Sequence, residues 1–242
     1  MEPRPRFKRV LLKLSGEALM GDDSFGIDPD VLNSVAEEIL QVHDLGVELA
    51  LVVGGGNIFR GLKSSEYGIK RVPADHMGML ATLINVIALG EALSGLGAEV
   101  RVMSAIDINK IAEPYIRGRA INHLRKGRIV LFGAGTGNPY FSTDTAAALR
   151  AMEIEADALC KATKVDGVFD ADPVLQPDAR RFERLSYREV LEKKLRVMDM
   201  TAVSLAMGQD LPIIVFNLRK KGSIRRVMFE NDMGTLISGE SS

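Results

Sequence analysis

Two glycine-bearing stretches and a few cations carry whatever chemistry this sequence can do. "GGGNIFRG" (54–61) leaves an apolar run and leads to Arg60, while "GTGNPYFSTD" (135–144) mixes glycines with hydroxyls, an amide and two rings. Residues without Cβ let backbone N–H groups close on the oxygens of an anion, best with a helix N-terminus behind them. The first stretch therefore suits a phosphate. It lacks the Gly-Lys-Ser/Thr ending of a Walker loop, and Phe59 stands where the dinucleotide fingerprint needs its third glycine. A tight turn or close packing accounts for such a triplet equally well. In the second stretch Thr136, Ser142, Thr143 and Asn138 suit a phosphate or ribose, and Tyr140 and Phe141 can flank a base. Helix capping explains Thr143 and Asp144 about as well.

The cations suggest what the anions are for. Lys13 ends the apolar run "RVLLKL", where a charge is costly unless it is used. Arg60 and Lys161 come next, with a plain surface charge and a snorkelling strand-end lysine as their alternatives. Two anionic substrates repel each other, so passing a phosphoryl group between them needs cations at the junction and a metal across the polyphosphate. Asp144 could orient the lysines. Asp172, in "FDADP", could reach a nucleotide or its magnesium, although a turn residue before Pro173 is the commoner role. His43, His76 and His123 have no metal-site spacing. Cys160 stands alone, which excludes an intrachain disulfide and a multi-cysteine zinc site, and reads as a small buried hydrophobe.

Alternating elements must position these residues. "RVLLKL" (9–14), "VELALVV" (47–53), "AEVRVMS" (98–104), "RIVLFG" (128–133), "DALCKAT" (157–163), "PIIVFN" and "GTLIS" read as strands. Between them, Asp28 as N-cap and Pro29 at the first helical position start a helix with Val31, Val35, Ile39 and Val42 on one face. Pro73 opens a long, largely buried helix, and Ser186 with Glu189 forms a capping box. Other helices fall over "AINHLRKG", "TAAALRAMEIE", "AVSLAMGQ" and "SIRRVMF", while "KVDGVFDADP" reads as loop. The pattern predicts an α/β fold, a three-layer αβα sandwich around a mainly parallel open sheet. Ligands then sit beyond the carboxyl ends of the strands, where the glycine loops emerge.

Composition narrows the class. With 46% hydrophobic and 26% charged residues the 242-residue chain is an ordinary folded one, far from the disordered corner. Lys plus Arg (31) nearly balances Asp plus Glu (32), so the global field gives no reason to expect a nucleic-acid or membrane partner. No signal-peptide core and no run of roughly 20 uncharged apolar residues is found, and a cytoplasmic location is expected.

The strings "KLSGEAL" (13–19), "GGGNIFRG", "DHMGMLAT" (75–82), "GTGNPYFSTD", "KATKVDGVFDADP" (161–173) and "VMDMTA" (197–202) occur in this order. On them the chain resembles the bacterial-type UMP kinases of the amino acid kinase family, over nearly its whole length. The resemblance implies a single domain over 1–242, with the UMP-binding part at about 1–150 and the ATP-binding part at about 151–242. It implies transfer of the ATP γ-phosphoryl group to UMP, with Mg²⁺ carried on the ATP phosphates and no direct protein ligand. By motif, Lys13, Asp144 and Arg60 would be catalytic. Lys13, Leu14, Ser15, Gly16, Gly56, Arg60, Thr163, Phe169 and Asp172 would bind ATP. Position 169 is often tyrosine in relatives, so Phe169 leaves only ring contacts. Gly55, Asp75 and the cradle Thr136, Gly137, Asn138, Pro139, Tyr140, Phe141, Ser142 and Thr143 would bind UMP. "GDDSFG" (Gly21, Asp22, Asp23, Ser24, Phe25, Gly26) resembles a GTP-linked segment, and the family implies a homohexamer inhibited by UTP and activated by GTP. The rivals are a kinase of the same fold for a carboxylate or carbamate acceptor, and a non-catalytic nucleotide sensor or storage protein.

Overall fold

A computed structural model describes residues 4–59, 68–173, 175–176, 178–195 and 197–239. In chain order the elements are β1 (Arg9–Leu14), a 3-10 turn (Gly16–Leu19), α1 (Pro29–Asp44), β2 (Glu48–Val53), α2 (Arg71–Gly95), β3 (Val100–Ser104), β4 (Glu113–Pro114), α3 (Arg117–Arg125) and β5 (Ile129–Gly133). They continue with α4 (Thr143–Glu153), β6 (Ala158–Thr163), β7 (Val168–Phe169), β8 (Arg181–Phe182), β9 (Arg184–Ser186), α5 (Tyr187–Glu192), α6 (Met200–Met207), β10 (Ile213–Asn217), α7 (Ser223–Phe229) and β11 (Thr235–Ser238).

Among the described residues nine strands form one sheet in the order β4-β3-β5-β2-β1-β6-β10-β11-β9. Every pairing is parallel except β10 with β11. The central strands are apolar on both faces because helices cover both. Val10, Leu12 and Leu14 pack with α1, α2 and α7, whereas Leu11 and Leu159 pack with α3, α4, α5 and α6. This is the expected αβα sandwich.

Local chemistry starts the helices where the sequence says they start. Asp28 accepts from the backbone N–H groups of Asp30 and Val31, with Pro29 at the first helical position, and Ser186 and Glu189 make both arms of the capping box. Helix α2 begins at Arg71, two residues ahead of Pro73; an early proline is tolerated because first-turn N–H groups have no intrahelical partner. Its mean hydropathy of 1.6 over 18 residues and its 25-residue length would allow a membrane crossing, but half of that window is buried inside the fold. It is the core helix against β2, β3 and β5. The short strands β4, β7, β8 and β9 were not expected; the segment read only as loop holds β7, paired with β8. Two- and three-residue strands are too brief to show a period.

Candidate active site

The strand register brings the two lysines together. Lys13 on β1 and Lys161 on β6 are direct partners in the parallel ladder, so both side chains leave the same face of the sheet. That face is covered by α4, whose Ala147, Ala148 and Ala151 are fully buried against it. Small side chains allow the helix to approach closely. Its N-terminus is fixed by Ser142, which accepts from the backbone N–H of Asp144 at 3.0 Å and of Thr145 at 3.2 Å. Asp144 thus sits in the first turn, where the helix dipole favours a carboxylate, and reaches both cations. Lys13 Nζ lies 2.7 Å from its Oδ1 and Lys161 Nζ 2.6 Å from its Oδ2.

All three side chains are largely buried, at 9%, 12% and 15% exposure for Lys13, Lys161 and Asp144. Burial pushes the Asp144 carboxyl up, but the ammonium groups of Lys13 and Lys161 outweigh it and hold the carboxyl below its ordinary range. Lys161 is pushed down, chiefly by burial and further by Lys13, with Asp144 opposing. One carboxylate between two ammoniums leaves the cluster a net positive charge in a dry setting, where electrostatic attraction is strong.

On one side of the cluster opens a cavity of about 850 Å³ lined by Lys13, Ser15, Lys161 and Thr163, together with Gly21 and Asp22. A separate cleft of about 140 Å³ is lined by Gly55, Gly56, Asp75, Thr136, Phe141, Ser142 and Thr143, the last two directly preceding Asp144. The expected donor and acceptor sets fall in different cavities, with exceptions, the first being Gly16, which lines neither and packs against Asn57 and the Gly54 carbonyl. Gly56, expected on the donor side, lines the smaller cleft. The Leu14 side chain is buried in the core and its carbonyl accepts from Gly54 N, so it offers a ligand only main-chain contact. Phe169 and Asp172 do not line the large cavity; the Asp172 carbonyl closes a turn by accepting from Leu175 and Gln176. Gly137, Asn138, Pro139 and Tyr140 form the outer turn of the cradle without lining the cleft. Tyr140 is held at a left-handed φ of 73°, its N–H donating to Asp75 Oδ2 at 2.7 Å, and Arg71 Nε donates to both Asp75 oxygens at 2.7 and 2.8 Å. Of segment 21–26, expected to be GTP-linked, only Gly21 and Asp22 line the cavity. Arg60 lies outside the described residues.

The glycine triplet divides by role. A Cβ on Gly55 would come within 2.8 Å of Ala81 and 2.9 Å of the Gly78 carbonyl on α2, whereas among the described residues one on Gly56 would meet nothing within 4 Å. Close packing thus explains Gly55.

Sequence reading missed Asp199. It N-caps α6 by accepting from Ala202 N at 2.9 Å, and accepts from the Thr145 hydroxyl at 2.9 Å and from the Ser142 hydroxyl. The carbonyl of Val197 accepts from Lys161 Nζ. "VMDMTA" had signalled likeness without a role. Asp30, Ser34 and Glu38 of α1, and Lys164 and Arg219 beyond strand ends, also line the large cavity; the four-residue spacing of the first three shows a helix face but not its use.

Positive charge lining a large cavity, with a second cleft formed by the residues just before Asp144, suits an enzyme that passes a phosphoryl group from one anion to another. A model of the amino acid kinase family matches residues 8–217. The solved structure of a UMP kinase from Bacillus anthracis is 44% identical, covers 97% of this chain and 97% of its own, and superposes with a TM-score of 0.94. A UMP kinase from Ureaplasma parvum is 37% identical over 96% of this chain and 99% of its own, with a TM-score of 0.91. The chain belongs to the amino acid kinase family.

Proposed function

We infer that this chain is an ATP-dependent UMP kinase, giving UDP and ADP in the formation of pyrimidine nucleotides. The observation that carries the reading is the Lys13–Asp144–Lys161 cluster, whose lysines line a large cavity and whose Asp144 directly follows Ser142 and Thr143 of a second cleft, in a chain similar to UMP kinases over almost its full length. ATP occupies the large cavity and UMP the cleft. Lys13 and Lys161 neutralise charge on the transferring group, and Asp144 holds them in place. The acceptor phosphate is itself the nucleophile, so alignment and charge do the catalysis and no covalent phosphoenzyme forms. Asp75 exchanges the Tyr140 N–H for a ribose hydroxyl.

Mg²⁺ fits this site as an ion carried on the donor phosphates, where it supplies neutralising charge. Magnesium is usually held by one or two carboxylates plus substrate phosphates and waters. Asp144 is already engaged by two ammonium groups, so the charge such an ion would meet here is chiefly that of the donor phosphates.

Single-domain organisation and a cytoplasmic location belong to the same reading; the expected split into an acceptor part at about 1–150 and an ATP part at about 151–242 is looser, because Lys13, Ser15 and the α1 residues Asp30, Ser34 and Glu38 line the donor cavity beside Lys161 and Thr163. Regulation by UTP and GTP belongs to the reading too; Gly21 and Asp22 at the rim of the donor cavity support a link between segment 21–26 and donor binding. Assembly into a hexamer is supported by exposed Met77, Leu80 and Ile84 on α2. The deciding assay is ADP release with UMP, CMP, glutamate and carbamate as acceptors. UMP should be the preferred acceptor; activity with glutamate but not UMP would establish the first rival, and UMP binding without turnover the second.

A further inference from the structure

Asn57 and Asn85 lie beside the glycine loops at 1% and 0% exposure, and the transfer mechanism uses neither. Their amides face each other: Asn57 Nδ2 donates to Asn85 Oδ1 at 3.0 Å, and Asn85 Nδ2 donates to Asn57 Oδ1 at 2.7 Å. The second N–H of each is used as well, Asn57 to the Gly26 carbonyl at 2.8 Å and Asn85 to the Gly54 carbonyl at 2.6 Å. Gly26 N donates back to the Asn57 carbonyl at 2.9 Å, and Gly54 N to that of Leu14 at 2.9 Å. Gly16 is seated on the same pair, because a Cβ there would lie 2.4 Å from both Asn57 Oδ1 and the Gly54 carbonyl.

Four segments therefore meet at two side chains: α2, which carries Asp75; the acceptor glycine loop; the donor loop after β1; and the end of segment 21–26. A buried polar pair with every donor satisfied fixes one geometry, and a half-satisfied one is costly. An apolar pair would fill the space without specifying the alignment.

We propose that Asn57 and Asn85 are positioning residues that hold the donor and acceptor loops in register for transfer and tie segment 21–26 to that register. The identities of the two nucleotides rest on the UMP kinase reading; the joint itself does not. In-line transfer is sensitive to mutual placement, with a displacement of about 1 Å costing roughly 10²-fold. Each nucleotide alone engages its own loop and is nearly indifferent to that placement. The signature is thus a lower kcat with binary affinities kept.

The test uses full-length Asn57→Ala, Asn85→Ala and the double variant. Thermal unfolding, kcat, and Kd for UMP alone and for a non-hydrolysable ATP analogue alone are measured, with amide exchange across 21–26 and 54–57. The expected kcat loss is roughly 10- to 100-fold in each single variant, and the double loses about as much as the worse single because the pair acts as a unit. Each binary Kd stays within about threefold, and exchange across 21–26 quickens in Asn57→Ala. A kcat within about twofold of wild type in protein that has merely lost stability, additive losses, or a loss explained by weaker binary binding would each overturn the proposal. Should alanine unfold the protein, Asn57→Ser and Asn85→Ser are read in the same way. Wild-type protein that releases no ADP with UMP would defeat the functional reading instead, and exchange in the variants would still judge the joint.

Discussion

Asp144 is the residue on which the site turns, because it is the shared counter-charge of Lys13 and Lys161. Asn at this position keeps the shape but leaves two buried ammoniums facing each other. We expect Asp144→Asn to lower kcat at least about 100-fold, measured by ADP release; removal of one partner from a buried ion pair typically also costs about 3–5 kcal/mol of stability. The pH dependence has a definite sign. A carboxyl held below its ordinary range contributes stability above the ordinary carboxylate pKa of about 3.9, and the contribution is lost as pH falls through the still lower folded value. The stability difference between wild type and Asp144→Asn should therefore shrink below about pH 4 in urea titrations. Lys161 gives the alkaline counterpart. Its pKa is lowered by burial, so its charge is lost earlier than that of an ordinary lysine, at about 10.4, and kcat should fall on that limb. In Lys161→Arg the guanidinium does not titrate, and the residual activity should keep its value through the same range; an unchanged limb would assign the titration to another group. Cys160 offers no comparable chemistry, since burial pushes its thiol up to about 12.

At the scale of elements, Asp199 ties the start of α6 to the start of α4 through Ser142 and Thr145, while Val197 just before it holds Lys161. Asp199→Asn should loosen Ser142 within the acceptor cleft, raising KM for UMP about threefold to tenfold and KM for ATP little, on the view that a hydrogen bond to a charged group contributes about 1.5–3 kcal/mol at most. Steady-state kinetics varying each nucleotide check it, and equal changes in both KM values would argue for a general structural role. How much of this was legible follows from what a linear pattern can carry. Strands of five or six residues and helices with caps showed themselves through apolar runs and through Asp28, Pro29 and Ser186. Lys13 stood out as a charge inside an apolar run, and Asp144 as its candidate orienter. The pairing of Lys13 with Lys161 did not, because register between strands about 150 residues apart leaves no local trace. Nor did Asp199, whose capping pattern is common, or the Asn57–Asn85 pair, since an asparagine within an apolar helix shows its partner only after folding.

For the whole molecule, α2 joins the proposed acceptor site to the outside. Asp75 stands in its first turns and Asn85 on its buried face, whereas Met77, Leu80 and Ile84 are 39%, 49% and 48% exposed. Their spacing of three and four residues lines them up along one face of the helix. A row of exposed apolar side chains on one helix face is where an interaction surface would form, and a net charge of −1 offers little long-range repulsion between copies. We expect the wild-type protein to sediment as an oligomer, with Leu80→Lys plus Ile84→Lys shifting it to smaller species while circular dichroism stays native. Desolvating two ammonium groups at an apolar interface is unfavourable by several kcal/mol, enough to dissociate assemblies at micromolar concentration. If the assembly also steadies α2, the dissociated variant should show a raised KM for UMP as well, because Asp75 and Arg71 lie at the end of the same helix. Sedimentation velocity alongside UMP kinetics separates the outcomes: an oligomer unaffected by both lysines would move the interface to another surface, and a monomeric wild type would remove it.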